Sequence, residues 1–142
     1  FILPRFYHQV VLPLIKTEVD LAHEHGAKFG YICTSGTRPM LGNYLETGID
    51  TLIGIDPIQG THTDVPLMKA KIGSQTCLWG GVSGAITVET GTEGAVRQAV
   101  RQAISSLGPT NFILSPIDNL TVDAPQTWEN VKIFIDEWKK NW

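Results

Sequence analysis

The stretch from Thr76 to Leu107 constrains this chain most, because an apolar run, a glycine-rich turn and a one-faced helix follow one another without a gap. Thr76–Trp79 reads as a short strand. Gly80, Gly81 and Gly84 free the backbone for a tight turn, or for close approach of a ligand. Thr90-Gly91-Thr92-Glu93 brings capping chemistry: a threonine oxygen for an orphan amide and a carboxylate for the positive end of a helix. Val96, Val100, Ala103, Ile104 and Leu107 then fall on one helical stripe, with Arg97, Gln98, Arg101 and Gln102 on the other face. Gly108-Pro109 stops the helix. Strand, turn and helix in that order make a βα unit.

The rest of the chain repeats this grammar. Arg5 to His25 is helical in pattern behind Pro4, with Val10, Val11, Leu14, Ile15, Val19, Leu21 and Ala22 as a broad apolar face. Pro13 inside it predicts a kink or two helices end to end. Lys28–Cys33 reads as a strand, Met40–Thr47 as a short helix, Thr51–Ile55 as a strand and Asp64–Ile72 as a helix. Asn111–Ser115 is a fourth strand. The last helix runs from Pro125 to Lys140, with Trp128, Val131, Ile135 and Trp138 as its predicted stripe.

One helix and then four βα units predict a parallel α/β sheet with right-handed crossovers. Two architectures accommodate it: a small doubly wound sheet, or half of a (β/α)8 barrel. The half-barrel leaves two bare strand edges and one uncovered sheet face, so it needs its missing half or a second copy of the chain.

A length of 142 residues fits one domain, spanning 1–142. A net charge of −3 gives no electrostatic case for nucleic acid or an anionic membrane surface. No apolar run approaches the roughly 20 residues that span a bilayer. Cys33 and Cys77 lie far apart and outside any CxxC pattern, which reads as two thiols in a reducing, cytoplasmic setting. The opening FILPRFYHQVV has no Met and no signal-peptide pattern, and reads as the middle of a larger fold.

In either architecture the ligand end lies at the carboxyl ends of the strands. Cys33 stands there as a candidate thiolate nucleophile or metal ligand, against the plainer reading of a buried thiol. Asp56, before Pro57, is a candidate general base or holder of a polar ligand, against an Asx-type turn. Ser35, Gly81, Ser83, Ser115, Asp118 and Asn119 are the substrate-binding candidates, against ordinary turn chemistry. His23 and His25 suit a helix C-terminus, His8 a helix surface and His62 a loop, so the histidines make no metal set. The tryptophans read as core or helix-packing residues. The chain lacks a GxGxxG fingerprint, a GxxxxGK[ST] phosphate loop and a GxSxG elbow.

Six segments carry a family resemblance: LPLIKTEVDLAHEHGAKFGYICTSG, GIDTLIGIDP, MKAKIGSQTCLWGGVSG, ETGTEGAVRQAVRQAI, NFILSPIDNL and APQTWENV. In this order they resemble the C-terminal half of the uroporphyrinogen decarboxylase superfamily. The resemblance implies strands five to eight of a (β/α)8 barrel, with the N-terminal half absent. It implies one of two chemistries: cofactor-free decarboxylation of a porphyrinogen, or methyl transfer involving a corrinoid protein or a thiol at a zinc held by a His-x-Cys pair and a later cysteine. At the matching positions Tyr31 stands for the histidine, Cys33 keeps the cysteine, and no cysteine lies near Ile117. The zinc set is therefore two ligands short. The histidine segment of the decarboxylases reads ILSPIDNL here, without a histidine. The expectation is a divergent branch in which Cys33 and Asp56 act in methyl transfer with a corrinoid protein as partner. Porphyrinogen-type decarboxylation and a non-catalytic binding half-barrel stand as alternatives.

Overall fold

Pro4 opens the first helix, and Pro13 decides how the rest of that helix is built. Pro13 has no N–H to return to the preceding turn. The backbone absorbs this by widening. After α1 (Pro4–Phe6), Tyr7–Val11 wind as a π-helix in which the Leu12 N–H reaches back to the Tyr7 carbonyl, and α2 (Leu12–Glu24) carries Pro13 in its first turn. The discontinuity expected at Pro13 is thus a π-segment. The computed structural model describes residues 3–33, 37–59 and 63–142.

The four βα units follow. β1 (Gly30–Ile32) leads to α3 (Leu41–Thr47), β2 (Thr51–Ile55) to α4 (Val65–Ile72), β3 (Cys77–Ser83) to α5 (Glu93–Leu107) and β4 (Phe112–Ile117) to α6 (Pro125–Asn141). Side chains start two of the helices: Thr92 Oγ1, in the predicted capping run, accepts from Ala95 N at 3.3 Å, and Asp64 Oδ1 accepts from Leu67 N at 3.0 Å. The strands pair in parallel in the order β1-β2-β3-β4. Four parallel strands in chain order, each followed by a helix, are half of a (β/α)8 barrel.

Register separates the two sheet faces. Tyr31, Leu52, Leu78 and Phe112 form one row across all four strands, and the row lies under the helices. The next row is Ile32, Ile53, Trp79 and Ile113, on the opposite face. There Ile32 is 68%, Trp79 37% and Ile113 41% exposed, whereas Leu52 and Leu78 are fully buried. Each fully buried aliphatic side chain contributes about 1.5–3 kcal/mol, so the helix-covered face carries the core. The second face is apolar and bare.

β3 is longer than its apolar run, because Gly80 and Gly81 lie inside the strand and not in a turn. Both have positive φ, 141° and 100°, and the β2–β3 register shifts beside them between Ile53 and Ile55. This bulge turns Gly81 toward the helices: a Cβ on it would stand 2.9 Å from the Ala103 Cβ of α5. The glycines serve strand–helix packing.

α6 also departs from expectation. Its buried side is Thr127, Asn130, Ile133, Phe134 and Glu137, while Trp128 is 57% exposed and Trp138 38% exposed. Asn130 and Glu137 face inward because each has a built partner, whereas the Thr127 hydroxyl is buried without one among the described residues. Asn130 Nδ2 donates to the carbonyls of Val88 (2.9 Å) and Gly91 (2.8 Å). Glu137 accepts from Arg97 Nη1 (2.9 Å) and Arg101 Nη1 (2.6 Å) of α5. None of the four tryptophans is a fully buried core residue.

The amino ends of the strands are tied by a different carboxylate. Asp50 accepts from Lys28 Nζ (2.7 Å) and from the Phe29 N–H (2.9 Å), and its Oδ2 lies 2.7 Å from His23 Nε2. This end carries ion pairing and backbone closure, which leaves the carboxyl ends for chemistry.

Candidate functional site at the carboxyl ends of the strands

β2 runs straight into Asp56, which is 3% exposed. Its Oδ1 accepts from the Ile58 N–H (2.8 Å) and the Gln59 N–H (2.9 Å), the Asx-type turn anticipated from Asp-Pro. Its Oδ2 is buried and has no hydrogen-bond partner among the described residues. A carboxylate with one oxygen saturated and the other bare is an acceptor aimed at a donor that the described residues do not supply. The two readings of Asp56 therefore coexist in one side chain: Oδ1 makes the turn, and Oδ2 is available to a donor.

Ser83 ends β3. Its Oγ accepts from Gln59 Nε2 at 3.2 Å and from the Ile86 N–H at 3.4 Å. Gln59 thus links the turn after Asp56 to the end of β3. Sequence reasoning passed over Gln59, because a glutamine in a loop carries no motif. Ser83 and Gly81 do share a cavity, but it lies against α5, on the helix-covered side of the sheet.

Ser115 stands on the bare face, where its Oγ accepts from Trp79 Nε1 at 2.9 Å. Asp118 and Asn119 are exposed at the start of the loop after β4, Asp118 with a φ of 66°. The loop is anchored by Glu89, a residue that the sequence offers only within the segment ETGTEGAVRQAVRQAI. Glu89 Oε1 accepts from the N–H groups of Thr121 and Val122 and from Thr121 Oγ1. These bonds, the backbone ones first, hold its carboxyl below the usual glutamate range. Ser35 and His62 lie outside the described residues.

Of the two readings of Cys33, its surroundings fit the buried thiol. It is 6% exposed and belongs to the core cluster with Tyr7 and Tyr44, whose rings pack with Tyr31, Tyr7 edge-to-face on both others. Burial pushes its thiol up to about 12, only partly offset by a backbone hydrogen bond, so it is protonated at neutral pH. Burial raises the Tyr7 and Tyr44 hydroxyls as well, with nearby Tyr31 and Cys33 adding to it. Among the described residues no three His, Cys, Asp or Glu side chains gather as a metal site. The donors among the described residues do not make a zinc set.

The structure thus groups Asp56, Gln59 and Ser83 through one turn. It places Ser115 with Trp79, and Cys33 with the tyrosines. Asp118 and Asn119 stand apart in solvent.

No protein-family model and no curated protein sequence matches this chain. Among solved structures it is similar to a methyltransferase from Methanosarcina mazei. The superposition has a TM-score of 0.76 at 17% identity and covers 99% of this chain and 38% of that one. The likeness is one of fold. The chain spans well under half of the neighbour's length, in agreement with a sheet that is half of a barrel.

Proposed function

We propose that this chain is one half of a (β/α)8 enzyme of methyl transfer, acting with a methyl group carried by a corrinoid on a separate protein. The observation that carries the reading is the superposition of 99% of the chain on part of a methyltransferase. The resemblance of the sequence segments to the uroporphyrinogen decarboxylase superfamily, which includes corrinoid-linked methyltransferases, points the same way.

Completion of the barrel is the first requirement. The row Ile32, Ile53, Trp79 and Ile113 occupies the position of an interior barrel layer, and β1 and β4 have free edges. A hollow formed by Phe112, Ile113, Leu114, Trp138 and Trp142 continues the apolar surface at the β4 edge. A further four βα units would cover all three features, and a second copy of the chain would cover the bare face.

Within such a barrel Asp56 is the residue best placed to meet substrate. Its Oδ2 would accept from a donor on the substrate or hold its reacting group in place. Ser115 and the loop bearing Asp118 and Asn119 lie at the same end of the sheet. Cys33 would act as a nucleophile only if the missing half brought a cation to its sulfur. No zinc step is assigned to this chain.

The test uses the protein in whichever form closes its sheet, with a preceding half or as paired chains. Methylcobalamin and a small thiol are the substrates, and the readouts are the cobalamin spectrum and the methyl thioether formed. Transfer, with Asp56→Asn slower by on the order of 100-fold, supports the reading. A closed, folded barrel that transfers nothing to any thiol sinks it. Full turnover in Cys33→Ala would assign that thiol to packing alone.

A further inference from the structure

We infer that the cavity between β3 and α5 is a second ligand site, for a small, uncharged, largely apolar molecule that carries a hydrogen-bond acceptor. The cavity measures about 360 Å³, in the lower part of the range of small-molecule sites. It lies on the helix-covered side of the sheet, so barrel closure would not fill it, and it does not depend on the function proposed above.

The bulge in β3 creates the space. Gly81 faces α5 across Ala103, and Ala99 lies one turn earlier on the same helix, so three small residues stand where larger ones would fill the gap. Ile58, Val65 and Leu107 supply apolar walls from the loop after β2, the start of α4 and the end of α5. None of the lining side chains among the described residues is charged. A charged ligand would lose its hydration there without an ionic partner, so the site selects against ions.

Polarity enters at two hydroxyls. Ser83 and Thr87 both line the cavity and are nearly or wholly buried. Among the described residues Ser83 Oγ only accepts, from Gln59 Nε2 and Ile86 N, which leaves its own proton for an acceptor. Ser83 and Thr87 sit four residues apart across the first turn of the π-helical segment Gly84–Glu89. An aryl ketone has the required chemistry, with a flat apolar body and one neutral carbonyl.

The experiment titrates the 142-residue chain, methyl-labelled at Ala, Ile, Leu and Val, with acetophenone. Saturable shifts are expected at Ala99, Ala103, Val65 and Leu107, with the methyls of Ile32 and Ile113 on the bare face unmoved. Thr87→Val should weaken binding roughly five-fold, the equivalent of one neutral hydrogen bond. Ala99→Phe fills the cavity and should abolish the shifts while the methyl spectrum away from α5 stays in place. Ser106→Phe, on the half-buried rim, is the second blocking variant should Ala99→Phe unfold. Absence of saturable shifts, shifts confined to the bare face, or undiminished binding in a folded blocking variant would each overturn the site.

Discussion

Single residues decide more here than their chemistry alone suggests. Gly54 sits at the β2 irregularity with a φ of 104°, and a Cβ on it would stand 1.8 Å from the Cys33 carbonyl oxygen. Gly54→Ala must therefore displace β1, and should cost more than about 1 kcal/mol, read as a lower urea midpoint at unchanged slope. Asp50 gives a pH signature. Burial opposes its ionisation, but Lys28, the Phe29 N–H and His23 outweigh burial and hold the carboxyl at about 2, against 3.8 unperturbed. A depressed folded value means stability that is complete above the unfolded value and lost as pH falls toward about 2. Asp50→Asn should cost about 2 kcal/mol near neutral pH, and that difference should vanish in urea titrations as the pH is lowered through this window. Asp56 was legible as a site candidate from its place at a strand end. Its bare Oδ2 was not, because sequence does not say which lone pairs a turn consumes. Cys33 reads the same at a barrel mouth and in a core, and only its burial among tyrosines separates the two.

At the scale of elements, boundaries and types were legible where local chemistry and tertiary packing agree. β2 spans Thr51–Ile55 as read from its apolar run, and α5 buries Val96, Val100, Ala103 and Leu107 as its spacing predicts. α6 misled because its inner face is polar and its outer face aromatic. Asn130 and Glu137 are buried through partners on other elements, which no periodicity reveals. Asn130→Ala would strand the Val88 and Gly91 carbonyls, and should destabilise by about 2–3 kcal/mol. Calorimetry at matched pH checks it. Glu137→Gln should loosen α6 from α5, since Arg97 and Arg101 both converge on that carboxylate. Faster amide exchange along α6 than along α4 is the expected sign. β3 was read too short because its two glycines resemble a turn, whereas the bulge they form keeps them in the ladder.

At the scale of the whole molecule, the bare row Ile32, Ile53, Trp79 and Ile113 governs behaviour in solution. An exposed apolar sheet face flanked by free edges favours association. Without a complementary half the chain should self-associate with concentration, and Ile32→Glu with Ile113→Glu should shift sedimentation toward the monomer while leaving thermal stability little changed, since both side chains are already exposed. A monomer at all concentrations in the unaltered chain would argue that the face needs no cover. The α/β class was legible from the repeat of strand and helix. The sequence pattern left the doubly wound sheet and the half-barrel both open, and strand order separates them.

That same strand order bears on how the chain acquires its structure. Each strand pairs with the one made just before it, and no contact within the sheet waits for a distant segment. Loop closure is therefore local at every step. During synthesis β2 can dock on β1 while β3 is still unmade, and each new βα unit meets a finished edge as its template. The growing end always presents one open strand, so an interruption at any unit leaves the same kind of edge that β4 displays.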